Sequence, residues 1–447
     1  VVAVAAPVAV VLAASRTASS AGLLTSQRSA PAITTMGIAQ YSQLIARRIR
    51  EQRVYSEILR FDTSAEALLA RKPSGIILSG GPNSVFEAGA PQCDPAIFDL
   101  GVPVLGICYG MHLMAKTLGG TVKPGEKREY GHTRIAAMAG SRLLAGLPKE
   151  LDVWMSHGDE VDVLPPGFKA SARSLSCPIV TMRHDGRLLF GLQFHPEVAH
   201  TQHGDAILRN FLFPICKCAG DWQIDSWIDT ALANLRRQVG DEEVVLGLSG
   251  GVDSSVVAVL LHRAIGKRLH CIFVDNGLLR AGEAEQVAQT LHARLGMDLR
   301  VIDARQRFYG ALRGVEEPEA KRKIIGREFI EVFAEEARAI KGCKFLAQGT
   351  IYPDVIESIS PLKGPSQTIK SHHNVGGLPE TLAFDLVEPL RELFKDEVRA
   401  VGRALGLADE LIDRQPFPGP GLGVRIIGEV TEERVRLLQQ ADLRVQE

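Results

Sequence analysis

Val102-Pro-Val-Leu-Gly106-Ile-Cys108-Tyr-Gly110-Met-His112 passes from a short apolar run through a glycine-bracketed turn into a helical pattern. A buried strand that ends in a tight turn and feeds a helix is the repeating unit of a parallel α/β sheet. Glycines on either side of Cys108 let the chain double back and lift that residue above the sheet. The string matches the G-x-S-x-G nucleophile elbow with sulfur in place of oxygen. The helix N-terminus that follows favours thiolate over thiol. A small cysteine buried after a strand would give the same string, so the decision rests on the surrounding segments.

Working outward, Leu44–Glu51 reads as a helix, and Gly75-Ile-Ile-Leu78 as a buried strand ending in Ser79-Gly-Gly-Pro82. Met111–Leu118 is a helix, Leu188–Phe194 a strand leading into His195-Pro-Glu197, and Asp205–Phe213 a closing helix. An amphipathic helix over Trp222–Val239 opens a second unit. It continues with the buried strand Glu243–Leu248, a glycine-rich turn, the helix Ser254–Ala264, and strands at Leu269–Val274 and Leu299–Asp303. This alternation predicts two successive doubly wound parallel sheets, with the boundary near Cys218–Asp221. The length of 447 residues agrees with two or three domains of roughly 100–200 residues each.

Composition narrows the class. Hydrophobic residues make up 45% and charged residues 23%, as in globular proteins with ample core material. Lys plus Arg (51) nearly balances Asp plus Glu (52), so no overall field draws the chain to nucleic acid or an anionic membrane. Seven scattered cysteines without a CxxC pair argue for a reducing compartment and against a structural zinc site. Residues 1–36 differ from the rest. The Ala/Val run Val1–Ala14 is too short to span a bilayer, and no acidic residue precedes Glu51. Arg16 and Arg28 in a Ser-rich setting fit a targeting peptide or a disordered leader, and the leader is the reading adopted.

Two chemical centres emerge. Cys108 needs a base and the base needs an orienting group; His195 and Glu197 lie just past a strand end, where α/β sheets gather active-site residues. A Cys108 thiolate could attack the carboxamide of glutamine and release ammonia, leaving a thioester for water to cleave. Backbone donors for the oxyanion are expected at Gly81 and Tyr109. In the second unit, Ser249-Gly250-Gly251-Val252-Asp253-Ser254-Ser255 follows a strand and opens a helix. Its backbone N–H groups can converge on a phosphate-sized anion, but the lysine of an ordinary γ-phosphate loop is absent.

The elbow, the SGGP loop and the His-Pro-Glu string together resemble the class I glutamine amidotransferase domain. SGGVDSS resembles the ATP-pyrophosphatase (PP-loop) family, in which the loop holds the leaving pyrophosphate of an adenylation. Further segments narrow the resemblance: Val274–Arg280, Glu319–Gly326, Gln348–Ser358, Ile369–Pro379 and Gln415–Gly423 are similar to the GMP synthetase family, from about Gln40 to the last residue. The resemblance implies an α/β protein with two doubly wound parallel-sheet domains and the start of an α+β dimerisation domain. Residues 1–36 would be the leader, 37–218 the amidotransferase, 219–415 the PP-loop synthetase and 416–447 the beginning of the dimerisation domain. The implied reaction converts xanthosine monophosphate (XMP) to GMP with glutamine and ATP, through an adenylated XMP. It implies Mg²⁺ on Asp253, a homodimer, a cytoplasmic location, and neither nucleic acid nor membrane as partner.

For the XMP phosphate, Lys321, Arg322 and Lys323 are candidates, although the same residues could form a solvated basic helix face. Lys370, His372 and His373 fall in a glycine-bounded segment that the resemblance makes a lid. Three departures accompany it. The family's first strand is expected to be absent here or imitated by Ala32–Ile38, which would expose unpaired sheet edges. His112 stands where the family usually carries a substrate-holding glutamine. The resemblance implies a dimerisation domain, with part of the purine site, that is expected to be incomplete at Glu447. Alternative readings are an inactive nucleotide-binding remnant and a different PP-loop amidotransferase, of the NAD or asparagine synthetase type.

Overall fold

The computed structural model describes residues 9–12, 34–35, 40–81, 83–289, 296–297, 299–358, 384–414 and 419–446. It divides into two compact units, Val1–Trp222 and Gln223–Glu447. The boundary falls just beyond the expected one. Trp222 stacks on Tyr55, with ring centroids 4.9 Å apart, and donates its backbone N–H to Arg53 O at 3.0 Å, so it stays with the first unit.

The first unit contains β1 (Ala9–Leu12), β2 (Thr34–Thr35), α1 (Gln40–Glu51), β3 (Ser56–Ile58), α2 (Ala65–Leu69), β4 (Gly75–Leu78), β5 (Val104–Ile107) and α3 (Tyr109–Thr117). It continues with β6 (Thr121–Ala137), β7 (Glu150–Val163), β8 (Phe168–Arg173), β9 (Thr181–His184), β10 (Leu189–Leu192) and α4 (Gly204–Asn210). Its sheet has the order β2-β1-β4-β5-β10-β9-β8-β6-β7, with β3 on β1. At its centre β4, β5 and β10 run parallel, and every one of their residues is buried. Alternate side chains feed two cores. Ile77, Leu105, Ile107, Phe190 and Leu192 pack with Ile45, Ile49 and Ile207 of α1 and α4. Ile76, Leu78, Val104 and Leu189 pack with Leu68 and Met111 of α2 and α3. Strands covered on both faces must be apolar throughout, which is why they read as unbroken hydrophobic runs.

Two expectations are corrected. The first sheet is mixed: only its centre is parallel, and β6 to β9 join by antiparallel pairing. The long β6–β7 ribbon escaped the sequence reading because β7 fully buries only alternate residues over Leu151–His157 and carries no long apolar run. Second, Ala9–Leu12 is no disordered leader. It pairs antiparallel with β4, Ala9 opposite Leu78 and Leu12 opposite Gly75, and so covers the backbone edge expected to lie bare. Of the segment expected to imitate a first strand, the described residues Thr34–Thr35 form a strand that pairs with β1.

The second unit contains α5 (Ile224–Val239), β11 (Glu243–Leu248), α6 (Val252–Ile265), β12 (Leu269–Asp275), α7 (Glu283–Ala288), β13 (Leu299–Asp303), α8 (Arg305–Ala311), α9 (Pro318–Arg338), β14 (Cys343–Ala347), α10 (Tyr352–Ser358) and β15 (Asp385–Val387). It closes with α11 (Lys395–Ala404), α12 (Asp409–Ile412) and α13 (Glu432–Gln446). Among the described residues its five strands are all parallel, in the order β13-β12-β11-β14-β15. Val245, Ile272, Val274 and Leu346 pack against Phe308, Ile325, Val332 and Phe333 of α8 and α9. Leu422, Ile426, Val430 and Val435 join that same core, so the described part of 416–447 packs on the second unit.

Candidate active centres

Cys108 sits between β5 and α3 with φ 52° and ψ −109°, a left-handed backbone that a non-glycine residue adopts at a cost of about 1–3 kcal/mol. The turn is held by Cys108 N–H donating to Leu192 O at 2.7 Å. The flanking glycines are needed for close approach: a β-carbon on Gly110 would lie 2.1 Å from Leu78 O, and one on Gly106 2.5 Å from Gly110 O.

The turn brings Cys108 beside His195: a β-carbon on Gly80 would lie within 3.4 Å of both side chains. The thiol also lies 3.6 Å from Ser156 O. His195 Nδ1 lies 2.7 Å from Glu197 Oε1, and both side chains are buried. Burial opposes charge on His195, but Glu197 and Cys108 outweigh it and hold the imidazole well above its ordinary value. Backbone and neighbours fix the ring's position. His195 N–H donates to Trp154 O at 3.1 Å, Thr201 Oγ1 donates to His195 O at 2.6 Å, and Tyr41 stacks on the ring at 4.7 Å. Arg48 Nε donates to Glu197 O at 3.1 Å. Burial pushes the thiols of Cys93, Cys177 and Cys218 up to about 12.

Several participants were not visible in the sequence. Gly80 touches the pair: a β-carbon there would lie 2.8 Å from His195 Cε1 and 3.4 Å from Cys108 Cβ. Gly81 is half-buried one residue further on, and Tyr109 opens α3, its hydroxyl donating to Pro91 O at 2.8 Å. His157 is buried beside Ser156, with Nε2 3.2 Å from Glu129 Oε2 and Nδ1 2.9 Å from Asp159 O. His112 is also buried, 2.8 Å from Gln193 Oε1, and burial lowers its pKa to about 4, so the ring is neutral. The alternation of β7 that buries His157 was the only available signal for it.

In the second unit β11 feeds the Ser249–Gly251 turn, and α6 begins at Val252 with Gly251 as its N-cap. Gly250 has φ +73°, the left-handed conformation that turns successive N–H groups to one side. The hydroxyls stitch the turn: Ser254 and Ser255 donate to Gly251 O at 3.1 and 2.9 Å, and Ser249 Oγ lies 3.1 Å from Ser254 Oγ. Asp253 projects from the first turn of α6, where Lys395 Nζ lies 2.6 Å from each carboxylate oxygen. Lys395 had given no sequence signal, because it approaches across a sequence separation of 142 residues.

The basic candidates on α9 separate. Lys321 is fully buried and donates to Ile426 O and Gly428 O, both at 2.6 Å, so it is no phosphate ligand in this structure. The helix turns it inward, where it fastens the 426–428 segment to α9. Arg322 pairs with Glu319 at 2.7 Å, and Lys323 is exposed. Lys370, His372 and His373 lie outside the described residues. Among the described residues, no group of three or more His, Cys, Asp or Glu could hold a metal, and no helix is long and apolar enough to cross a membrane.

Comparison with known proteins agrees with this division. The class I glutamine amidotransferase family model matches residues 37–215, and the NAD synthase model matches residues 226–324. The chain is 57% identical over 412 residues to a glutamine-hydrolysing GMP synthase of Aromatoleum aromaticum, a match covering 90% of this chain and 79% of the relative. It is also 57% identical to that of Thermomicrobium roseum (92% and 77% covered) and 54% identical to that of Bacillus cereus (90% and 78% covered).

Proposed function

Because the chain belongs to the glutamine-hydrolysing GMP synthase family, we propose that it makes GMP from XMP, taking nitrogen from glutamine and activation from ATP. The observation that carries this reading is Cys108 beside a His195 that is bonded to Glu197, in a chain that also holds an SGGVDSS phosphate loop. The NAD synthase model covers only residues 226–324, whereas the GMP synthase relatives match across both units.

In the first unit the Cys108 thiolate attacks the glutamine carboxamide carbon, and backbone N–H groups at Gly81 and Tyr109 receive the oxyanion. His195 gives its proton to the amide nitrogen, which leaves as ammonia. The ring then takes a proton from the water that cleaves the thioester to glutamate. Glu197 holds Nδ1–H, so Nε2 is left to carry the moving proton.

In the second unit the xanthine O2 of XMP attacks the α-phosphorus of ATP and pyrophosphate leaves. Ammonia then adds at C2 and AMP departs with O2. Ser249, Gly250, Gly251, Val252, Ser254 and Ser255 form the cradle for the pyrophosphate end. Arg322, with Lys370, His372 and His373 of the 359–383 segment, is assigned to XMP.

Mg²⁺ fits the donor set: a single carboxylate, Asp253, beside a phosphate cradle is what an ion that keeps waters and takes phosphate oxygens requires. When bound, it neutralises charge on the leaving pyrophosphate. Lys395 Nζ pairs with the same carboxylate and balances its charge. The free thiols and the family support a cytoplasmic location, and family membership supports assembly as a homodimer.

The test is pyrophosphate release from Mg-ATP by the full chain with XMP and either glutamine or ammonium. Cys108→Ala should abolish the glutamine-supported reaction and leave the ammonium-supported one intact. Equal loss of both in a folded variant refutes the two-centre assignment. Absence of XMP-dependent release from the folded parent chain refutes the GMP synthase reading in favour of a nucleotide-binding remnant.

A further inference from the structure

Glu283, the first residue of α7, is a buried carboxylate pressed against the phosphate loop. Its Oε1 would lie 2.9 Å from a β-carbon on Gly250, and its side chain is 4% exposed. A negative charge there opposes the anion that the loop is built to hold. Two donors hold it in place: Arg280 N–H at 2.9 Å from Oε2, and Arg414 Nη1 at 2.9 Å from Oε1.

Arg414 does more than pair with the acid. The same Nη1 donates to Gly250 O at 3.3 Å. That carbonyl and the Gly251 N–H belong to one peptide group. A cation at the oxygen end draws electron density through the peptide and strengthens the N–H at the other end as a donor. Among the described residues the Gly251 N–H donates to Ser249 Oγ at 3.3 Å, a long bond that a phosphate oxygen can replace. Gly251 is also the N-cap of α6, so this N–H lies at the positive end of that helix.

We propose that Arg414 is a positioning residue for the phosphate loop: it cancels the charge of Glu283 and polarises the Gly250–Gly251 peptide so that the Gly251 N–H binds the pyrophosphate end of ATP. The inference rests on the phosphate-loop reading above. It assigns a part in nucleotide binding to a residue 164 positions from the loop carbonyl it touches. Arg414 follows α12, and the segment beyond it is fastened to the same unit by Leu422 N–H donating to Leu278 O at 2.7 Å and by Lys321. The phosphate loop is thereby sensitive to how the C-terminal segment is seated.

The test is calorimetric titration of the full chain with magnesium pyrophosphate and with Mg-ATP, using Arg414→Met, Glu283→Gln and the double variant. Losing a charged hydrogen-bond donor and leaving Glu283 uncancelled should weaken pyrophosphate binding of Arg414→Met by about tenfold or more. The double variant should recover most of that loss, because the opposing carboxylate is gone; a mere strut would leave the double variant as poor as the single one or worse. Wild-type affinity in Arg414→Met, or no recovery in the double variant, overturns the proposal. Should Arg414→Met fail to fold, Glu283→Gln alone decides: binding at least as tight as the parent supports the proposal, and a tenfold loss overturns it. A parent chain that binds neither ligand would instead defeat the phosphate-loop reading itself.

Discussion

Replacing Glu197 by Gln probes how much of the first centre depends on charge. The carboxylate oxygen lies 2.7 Å from His195 Nδ1, both groups are buried, and His195 stands well above its ordinary pKa. The amide keeps the shape and an acceptor but removes the charge. Glu197 Oε2 has no hydrogen-bond partner among the described residues, so the amide NH₂ replaces one unpaired buried atom with another. The main loss is therefore the charge-assisted bond to the imidazolium, worth about 1.5–3 kcal/mol, or about 10- to 150-fold in the rate of glutamine hydrolysis. His195 loses the carboxylate that raises its pKa, so the alkaline limb of the pH–rate profile should move to lower pH. Stability follows with a definite sign. A raised histidine pKa contributes stability below the unfolded value near 6.5 and loses it as pH rises through the folded value, and Glu197→Gln should reduce that contribution. The assay is glutamate release against pH, with ammonium-supported GMP synthesis as the internal control. Parental glutaminase rates with an unmoved alkaline limb would refute the role given to Glu197.

His112 has the opposite linkage. Its folded pKa of about 4 lies below the unfolded value near 6.5, so protonation favours the unfolded chain and stability should fall by about 3 kcal/mol as pH drops from about 6.5 to about 4. Urea unfolding across that window should flatten in His112→Gln, which can still hydrogen-bond Gln193; an unchanged slope refutes the assignment. Lys321→Met removes both donors to Ile426 O and Gly428 O and should cost about 2–4 kcal/mol of stability in the second unit. The KM for XMP should remain at the parental value, and a large rise in KM without loss of stability would return Lys321 to the phosphate site.

The legible parts of this protein were those whose physics is local. The apolar runs at Gly75–Leu78, Val104–Ile107, Leu189–Leu192 and Glu243–Leu248 announce strands covered on both faces. The glycines around Cys108 and in Ser249–Ser255 announce turns where backbone must pass close to backbone or to an anion. Such constraints act within a few residues, so they can be read in order along the chain. Whatever depends on groups distant in sequence had to await tertiary structure. Whether an Ala/Val run forms a strand depends on a vacant edge, and β4 supplies that edge to Ala9–Leu12. Which face a lysine takes on a helix determines its role: Lys321 turns inward to two carbonyls while Lys323 stays in water. Lys395 on Asp253 and Arg414 on Gly250 come from positions 142 and 164 residues away, and long flexible cations carry no local signature of the partner they will meet. The sequence alone determined the two chemistries and most of the strands that carry them; tertiary structure alone decided which charges surround each site, because a charge acts through space and not along the chain.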